Sequence, residues 1–399
     1  MTDRVDRPPA VYLDHAATSF PKPAGVADAV LHWYRSVGVS GERGDGPATA
    51  EARRVVQNVR RGLSMWTGAR PEHIAFCSGA TEGLNLALRA LLRPKHRVLA
   101  TRIEHSSVVR PLLQLQDERD LSLQIVPGAG RDEAVATHGD RLTACLMEAL
   151  EDRTSPAPDL LVFGHASNVS GAMIDAKTVC DAARARGTTT LIDASQTIGY
   201  VPLDVGADIV VASAHKALHG PPGIGFVALG QQPPDSEPLA ARLLPQKQGG
   251  TGSSIALDRH PTDWPTAFEA GTPNTPGLFG CEAALSWLAQ HEPGSLLQAA
   301  LERLDELRAG LSELPRVRTF AAEGAMRTPV LSFVHEDYDP LELGNVLAAA
   351  SIHARTGFHC APWVHEVLGT QERGTVRLSP GPMTSALEVA TTLELLRTL

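Results

Sequence analysis

No C-x-x-C pair occurs among the five cysteines of this 399-residue chain (Cys77, Cys145, Cys180, Cys281, Cys360), which argues against both a disulfide framework and a zinc ribbon. Apolar runs are short. None approaches the roughly 20 residues that a membrane-spanning helix needs, and the opening MTDRVDRPPA mixes charges and prolines where a signal peptide would carry an apolar stretch. A cytoplasmic protein with no membrane partner is the expectation. A basic excess is missing too: Lys and Arg number 36 against 45 Asp and Glu, a formal charge of -9, so no dedicated nucleic-acid surface is expected. Internal repeats and low-complexity segments are absent, which excludes solenoids and arrays.

What is present is enough apolar sequence for a large core: 43% hydrophobic residues over a length that suggests two domains. Through the first two-thirds, short β-rich runs alternate with helical patterns. IAFCSGA leads into TEGLNLALRALL, HRVLATRIEH into SSVVRPLLQLQ, and LLVFGHASNVSG into AKTVCDAARARG, before TTTLIDASQTIG and ADIVVASAHKALHG. That alternation predicts an α/β fold with a mostly parallel sheet wrapped by helices. The pattern breaks near GGTGSSIALDRHPTDWPTAFEAGTPNTPG, so a large domain is expected over 11–270. A smaller α+β domain is expected over 271–399, joined by the N-terminal segment, with strands at TPVLSFVH and GTVRLSP. SEPLAARLLPQKQGG reads as a mobile loop.

In open parallel sheets, ligands bind beyond the carboxyl ends of the strands. Here those ends carry chemistry. Three strongly apolar runs finish on polar groups: one on Asn168, one on Asp193 with Gln196 just after it, one on Ser213, His215 and Lys216. A lysine directly after a buried strand has its ammonium destabilised by burial, which favours a Schiff base with an aldehyde cofactor. Asp193 suits the carboxylate that keeps a pyridine nitrogen protonated; a helix N-cap is the plainer reading. The turn before Ala80 and Thr81, at a helix start, offers free amides and a hydroxyl to a phosphate.

Four cysteines lie in apolar or helical surroundings and read as small buried hydrophobes. Cys360 lies in ARTGFHCAPWVHE, among glycine, arginine, histidine and proline, a loop composition with positive charge nearby. His359 and His365 flank it, but no carboxylate or cysteine cluster joins them, so no metal is expected.

Taken in order, YLDHAATSFPKP, SGATEGLNLAL, IEHSSVVRP, HASNVSG, LIDASQTIG, ASAHKALHGPPGIG, FEAGTPNTPG and RTGFHCAP resemble the class V aminotransferase-fold enzymes, and among them the cysteine desulfurases and selenocysteine lyases. The resemblance implies the type I fold of enzymes dependent on pyridoxal 5'-phosphate (PLP), with a seven-stranded sheet. It implies that Lys216 carries the cofactor, and that Asp193 and Gln196 contact its pyridine nitrogen and ring oxygen. His105 would stack on the ring and handle protons, and Asn168 would lie near cofactor and substrate. Ala80, Thr81, Ser213 and His215 would hold the phosphate, joined by Thr272 of the other subunit in a homodimer. Arg377, with Arg355 as the alternative, would bind the substrate carboxylate, and Cys360 would be the nucleophile.

The activity so implied is conversion of L-cysteine to L-alanine with a persulfide on Cys360, passed to a small thiol or an acceptor protein. The short, proline-bounded Cys360 segment resembles the group of these enzymes without a long cysteine loop. Selenocysteine as substrate, amino-group transfer or epimerisation on the same fold, and a non-catalytic sulfur carrier are the alternatives. For His105 a helix cap, and for Arg377 an inward ion pair of the small domain, are the plainer readings.

Overall fold

A computed structural model of the chain describes residues 11–41, 44–128, 132–231, 238–252 and 258–399. The first ten residues, read above as lacking a targeting signal, lie outside the described residues, as do 253–257 in the segment where the strand-helix pattern breaks. Of the stretch read as a mobile loop, residues 236 and 237 also lie outside them, and Leu239–Arg242 forms a short helix.

A short strand, β1 (Val11–Tyr12), opens the described chain. The large sheet follows with β2 (Ile74–Cys77), β3 (Arg97–Thr101), β4 (Ser122–Val126), β5 (Leu160–Gly164), β6 (Thr189–Asp193), β7 (Ile209–Ser213) and β8 (Gly225–Leu229). Its order is β2-β8-β7-β6-β5-β3-β4. The pairs from β4 across to β7 are parallel, and β8 runs antiparallel to both β7 and β2. The expected mostly parallel seven-stranded sheet is therefore present, with one reversed strand.

Its strands read as near-continuous apolar runs because both faces are covered. Along β5, Leu160 and Val162 join one core with the helices Ala80–Leu91 and Ser106–Arg119. Leu161 and Phe163 join the opposite core, with Val55, Val59 and Leu63 of helix Pro47–Thr67. Helix Thr275–Leu288 packs into this second core through Leu278, Phe279, Cys281 and Leu285, on the large-sheet side although it follows residue 271.

A third core forms around β9 (Val317–Ala321), β10 (Leu331–His335), β11 (Ile352–His353), β12 (Arg355–Gly357) and β13 (Thr375–Leu378). Four of these make an antiparallel sheet, β12-β13-β10-β9, while β11 pairs in parallel with β1. Val11 and Leu13 belong to this third core, so the N-terminal segment packs with the smaller sheet. From there it crosses to the large sheet: the Ser19 amide donates to the His215 carbonyl at 2.9 Å.

Candidate active site

Strands β5, β6 and β7 end together, and the residues after them define the site. Ser213 is the last residue of β7, and its Oγ accepts the Ala80 amide at 2.8 Å. That bond sets the start of helix Ala80–Leu91 beside the β7 terminus. Gly79, the residue before the helix, has no side chain to cap it, so Ser213 takes that part. Close packing requires glycine at 225 on the neighbouring strand, because a Cβ there would lie 2.5 Å from the Gly79 Cα. The helix N-terminus beyond the Ser213-bound Ala80 amide, with Ser213 and His215 adjacent, makes an anion cradle. Thr81 lies exposed beside it. His215 has a buried Nδ1 with no partner, and burial, aided by Lys216 and Lys22, pushes its pKa down to about 4.

Lys216 follows β7 by three residues. Burial holds its amine below the usual ammonium range; the Asp193 charge opposes that shift, while Arg377 and Arg355 reinforce it. A neutral amine is the form that condenses with an aldehyde. No ion pair joins Lys216 to Asp193. Asp193, at the end of β6, has one carboxylate oxygen accepting the Ser195 amide at 3.0 Å. Gln196 is buried and donates through Nε2 to the Ala16 carbonyl at 3.0 Å. His105 caps helix Ser106–Arg119: its Nδ1 accepts the Ser107 amide at 3.1 Å, which leaves Nε2 as the protonated edge. Burial, opposed by Asp193, lowers its pKa to about 4. The capping reading of His105 is thus realised, at a place where its ring also senses Asp193 and Lys216.

The smaller sheet brings the rest. Arg377 in β13 is only 1% exposed, and its Nη2 pairs with Asp14 Oδ1 at 2.6 Å while Nη1 donates to the Asn168 carbonyl at 3.0 Å. Its buried Nε has no partner. The inward ion pair foreseen for Arg377 exists, but with the N-terminal segment. Arg355 lies directly opposite on β12 as the cross-strand neighbour of Arg377. Asn168 reaches on through Nδ2 to the His359 carbonyl at 2.7 Å.

Cys360 is the one exposed cysteine among the described residues. Only residues 358–361 separate β12 from the helix Pro362–Leu368, so its loop is short. The turn is tied at three points: Cys360 O accepts the Ser106 amide at 2.6 Å, His359 O accepts from Asn168, and His359 Nε2 meets Thr375 Oγ1 at 2.8 Å. His359 (φ 49°) and Cys360 (φ 57°) both sit in the left-handed region, a conformation that costs about 1–3 kcal/mol per residue. Cys180 and Cys281 are buried, as expected, and their thiols are pushed up to about 12 by burial. Cys77 and Cys145 are instead partly exposed. Thr272 is exposed in a separate cleft of about 270 Å³ with Ser78, Glu82 and Lys247.

The donor set fits a PLP cofactor: a helix N-terminus with Ser213 and His215 for a phosphate, a buried amine for an aldehyde, and a carboxylate for a ring nitrogen. Sequence reasoning missed Asp14, Lys22 and the main chain of residues 15–19 as parts of this site. Their signal was the YLDHAATSFPKP motif itself, which sets Asp14, His15, Thr18, Ser19 and Lys22 in a short segment.

The family model for class-V aminotransferases matches residues 11–391. The chain belongs to the class-V aminotransferase family and, within it, to the cysteine desulfurases. It is 31% identical to a cysteine desulfurase of Yersinia pseudotuberculosis over 373 residues, covering 90% of this chain and 86% of that one. Among solved structures, an apo cysteine desulfurase from Thermococcus onnurineus superposes with a TM-score of 0.87 at 26% identity, over 98% of this chain and 94% of that one. A cystine C-S lyase in complex with cysteine persulfide shares the fold with a TM-score of 0.81 at 20% identity, over 98% of both chains.

Proposed function

We propose that the chain is a PLP-dependent cysteine desulfurase in which Lys216 carries the cofactor and Cys360 takes the sulfur. The observation that carries this reading is the meeting of two halves: a buried lysine and Asp193 at the large-sheet edge, and one exposed cysteine on a short tethered turn.

When bound, PLP supplies an electron sink for the charge left at the substrate Cα. The chain's own residues do the rest. Ser213, His215, Thr81 and the amides after Gly79 hold the phosphate; Asp193 and Gln196 fix the ring, and His105 covers it. Arg377, with Arg355 beside it, takes the substrate carboxylate. Lys216, neutral once released, accepts the Cα proton. The Cys360 thiolate attacks the substrate sulfur; the carbon-sulfur bond breaks, its electron pair stays with Cβ, which takes a proton, and Lys216 returns a proton to Cα. L-cysteine thereby becomes L-alanine, and Cys360 holds the sulfur as a persulfide, for a thiol or acceptor protein to remove. The reading extends to a homodimer in which Thr272 reaches the phosphate of the other subunit. It also places the protein in the cytoplasm; no helix among the described residues is long and apolar enough to cross a membrane. We divide the chain into a domain of about 11–270 and one of about 271–399, with helix Thr275–Leu288 docked on the first.

Incubation with L-cysteine and a reductant, with alanine and sulfide quantified together, tests the function. Equal yields of the two are expected. Pyruvate or a transaminated keto acid in place of alanine would overturn it, and selenocysteine in the same assay sets the preference between the two substrates.

A further inference from the structure

Arg355 and Arg377 stand opposite each other on adjacent strands, and both carry their charge toward Lys216. Of the carboxylates in the described residues, only Asp14 pairs with either guanidinium. It does so from the N-terminal segment, bound at 2.6 Å to Nη2 of an arginine that is otherwise buried, with its own side chain 19% exposed. Two arginines and one aspartate leave the cradle with one net positive charge. Other charged groups nearby are Lys216 and Asp193, which the reading above commits to the cofactor, and Cys360; His105 and His359 are held neutral by burial.

Resting on that reading, in which Arg377 takes the substrate carboxylate, we infer that Asp14 is a specificity-determining residue: it sets the cradle to a single positive charge, so that amino acids with one carboxylate bind and dicarboxylic ones are refused. One incoming carboxylate neutralises the cradle. A second would be desolvated against Asp14 with no cation left to meet it, and like-charge juxtaposition discriminates strongly in an enclosed site.

L-alanine and L-aspartate make the matched pair of probes, since aspartate is alanine with a carboxylate on Cβ and neither carries sulfur to transfer. Titration of each into the PLP-loaded protein, followed by the cofactor absorbance, gives two Kd values. The wild type is expected to favour alanine. Asp14→Asn keeps an oxygen acceptor for Arg377 and raises the cradle charge, so it should shift the ratio of the two Kd values toward aspartate by about tenfold or more. Asp14→Ser makes the same change of charge if the asparagine variant fails to fold, as judged by melting. Adding Arg355→Met to Asp14→Asn restores a single charge and should return the ratio to near that of the wild type. Arg377→Lys checks the underlying reading separately. If Arg377→Lys weakens alanine binding while the Asp14 variants fold and leave the ratio unchanged, the reading stands and the inference is overturned. If Arg377→Lys leaves alanine binding unchanged, the carboxylate site lies elsewhere and both fall.

Discussion

Lys216 and Cys360 occupy opposite kinds of surroundings within one site. Lys216 follows an apolar strand of a sheet covered on both faces, and burial, reinforced by Arg377 and Arg355, lowers its affinity for a proton. Cys360 is exposed, on a four-residue connection whose two central backbones are left-handed and held by tethers from elsewhere. The lysine half of the site draws its chemistry from the interior of the fold, whereas the cysteine half depends on a few long-range hydrogen bonds that keep a thiol accessible. One half is robust to loop change and the other is not.

The largest effect should come from the first half. Lys216→Ala should lose the yellow chromophore and turnover together, the rate falling by roughly 10⁴-fold or more from loss of both covalent attachment and proton transfer. Borohydride should fix the chromophore to Lys216 in the wild type; a peptide map with the adduct on another lysine would break the comparison at its root. Next, Cys360→Ala should stay yellow and still change its spectrum with cysteine, yet form alanine and sulfide about 10²–10⁴-fold more slowly. A wild-type rate in that variant would make the thiol structural.

Acid should act on the buried half. His105, His165 and His215 have pKa values of about 4, each lowered first by burial, against an unfolded value near 6.5. Between those limits the unfolded chain binds more protons, so stability is full above about pH 6.5 and lost as pH falls toward 4. Urea unfolding at pH 5 should show at least about 2 kcal/mol less stability than at pH 7. An unchanged midpoint would mean that these histidines stay protonated in the fold. The smallest effect belongs to the tether: Asn168→Ala removes the bond to the His359 carbonyl, worth about 1 kcal/mol, and should slow sulfur removal several-fold while leaving cofactor binding as it is. Equal losses in both would show that Asn168 serves the cofactor rather than the turn.

Legibility in the sequence followed the same division. Strand ends are local signals, so the apolar runs stopping near Asp193, Ser213 and Lys216 pointed to the sheet edge where these groups lie, and a mostly parallel sheet followed from the alternation of elements. Cys360 stood out by the composition around it. What stayed hidden is non-local. The Asp14–Arg377 pair spans 363 residues, the Asn168–His359 bond 191, and the Ser106–Cys360 bond joins a helix start to a loop of the other sheet. No periodicity reports such pairings. Helix Thr275–Leu288 follows the compositional break at residue 271 yet packs on the large sheet, because its apolar face, rather than its place in the chain, decides where it is buried. Cys77 and Cys145 looked interior from their apolar neighbours, but Cys77 is the last residue of β2 and Cys145 lies mid-helix on a partly covered face.

The N-terminal segment gives the molecule a particular order of events during synthesis. Residues 13–16 exchange hydrogen bonds with Ser379, and Asp14 waits for Arg377, so the first described residues to leave the ribosome find their partners only when nearly the whole chain has been made. The large sheet can collapse early, as domains generally do in chain order, and can expose Lys216 to an aldehyde before Arg377 exists. The charge cradle closes only when β13 brings Arg377 to Asp14. A nascent chain could thus acquire its cofactor well before it could hold an amino acid in register for sulfur removal.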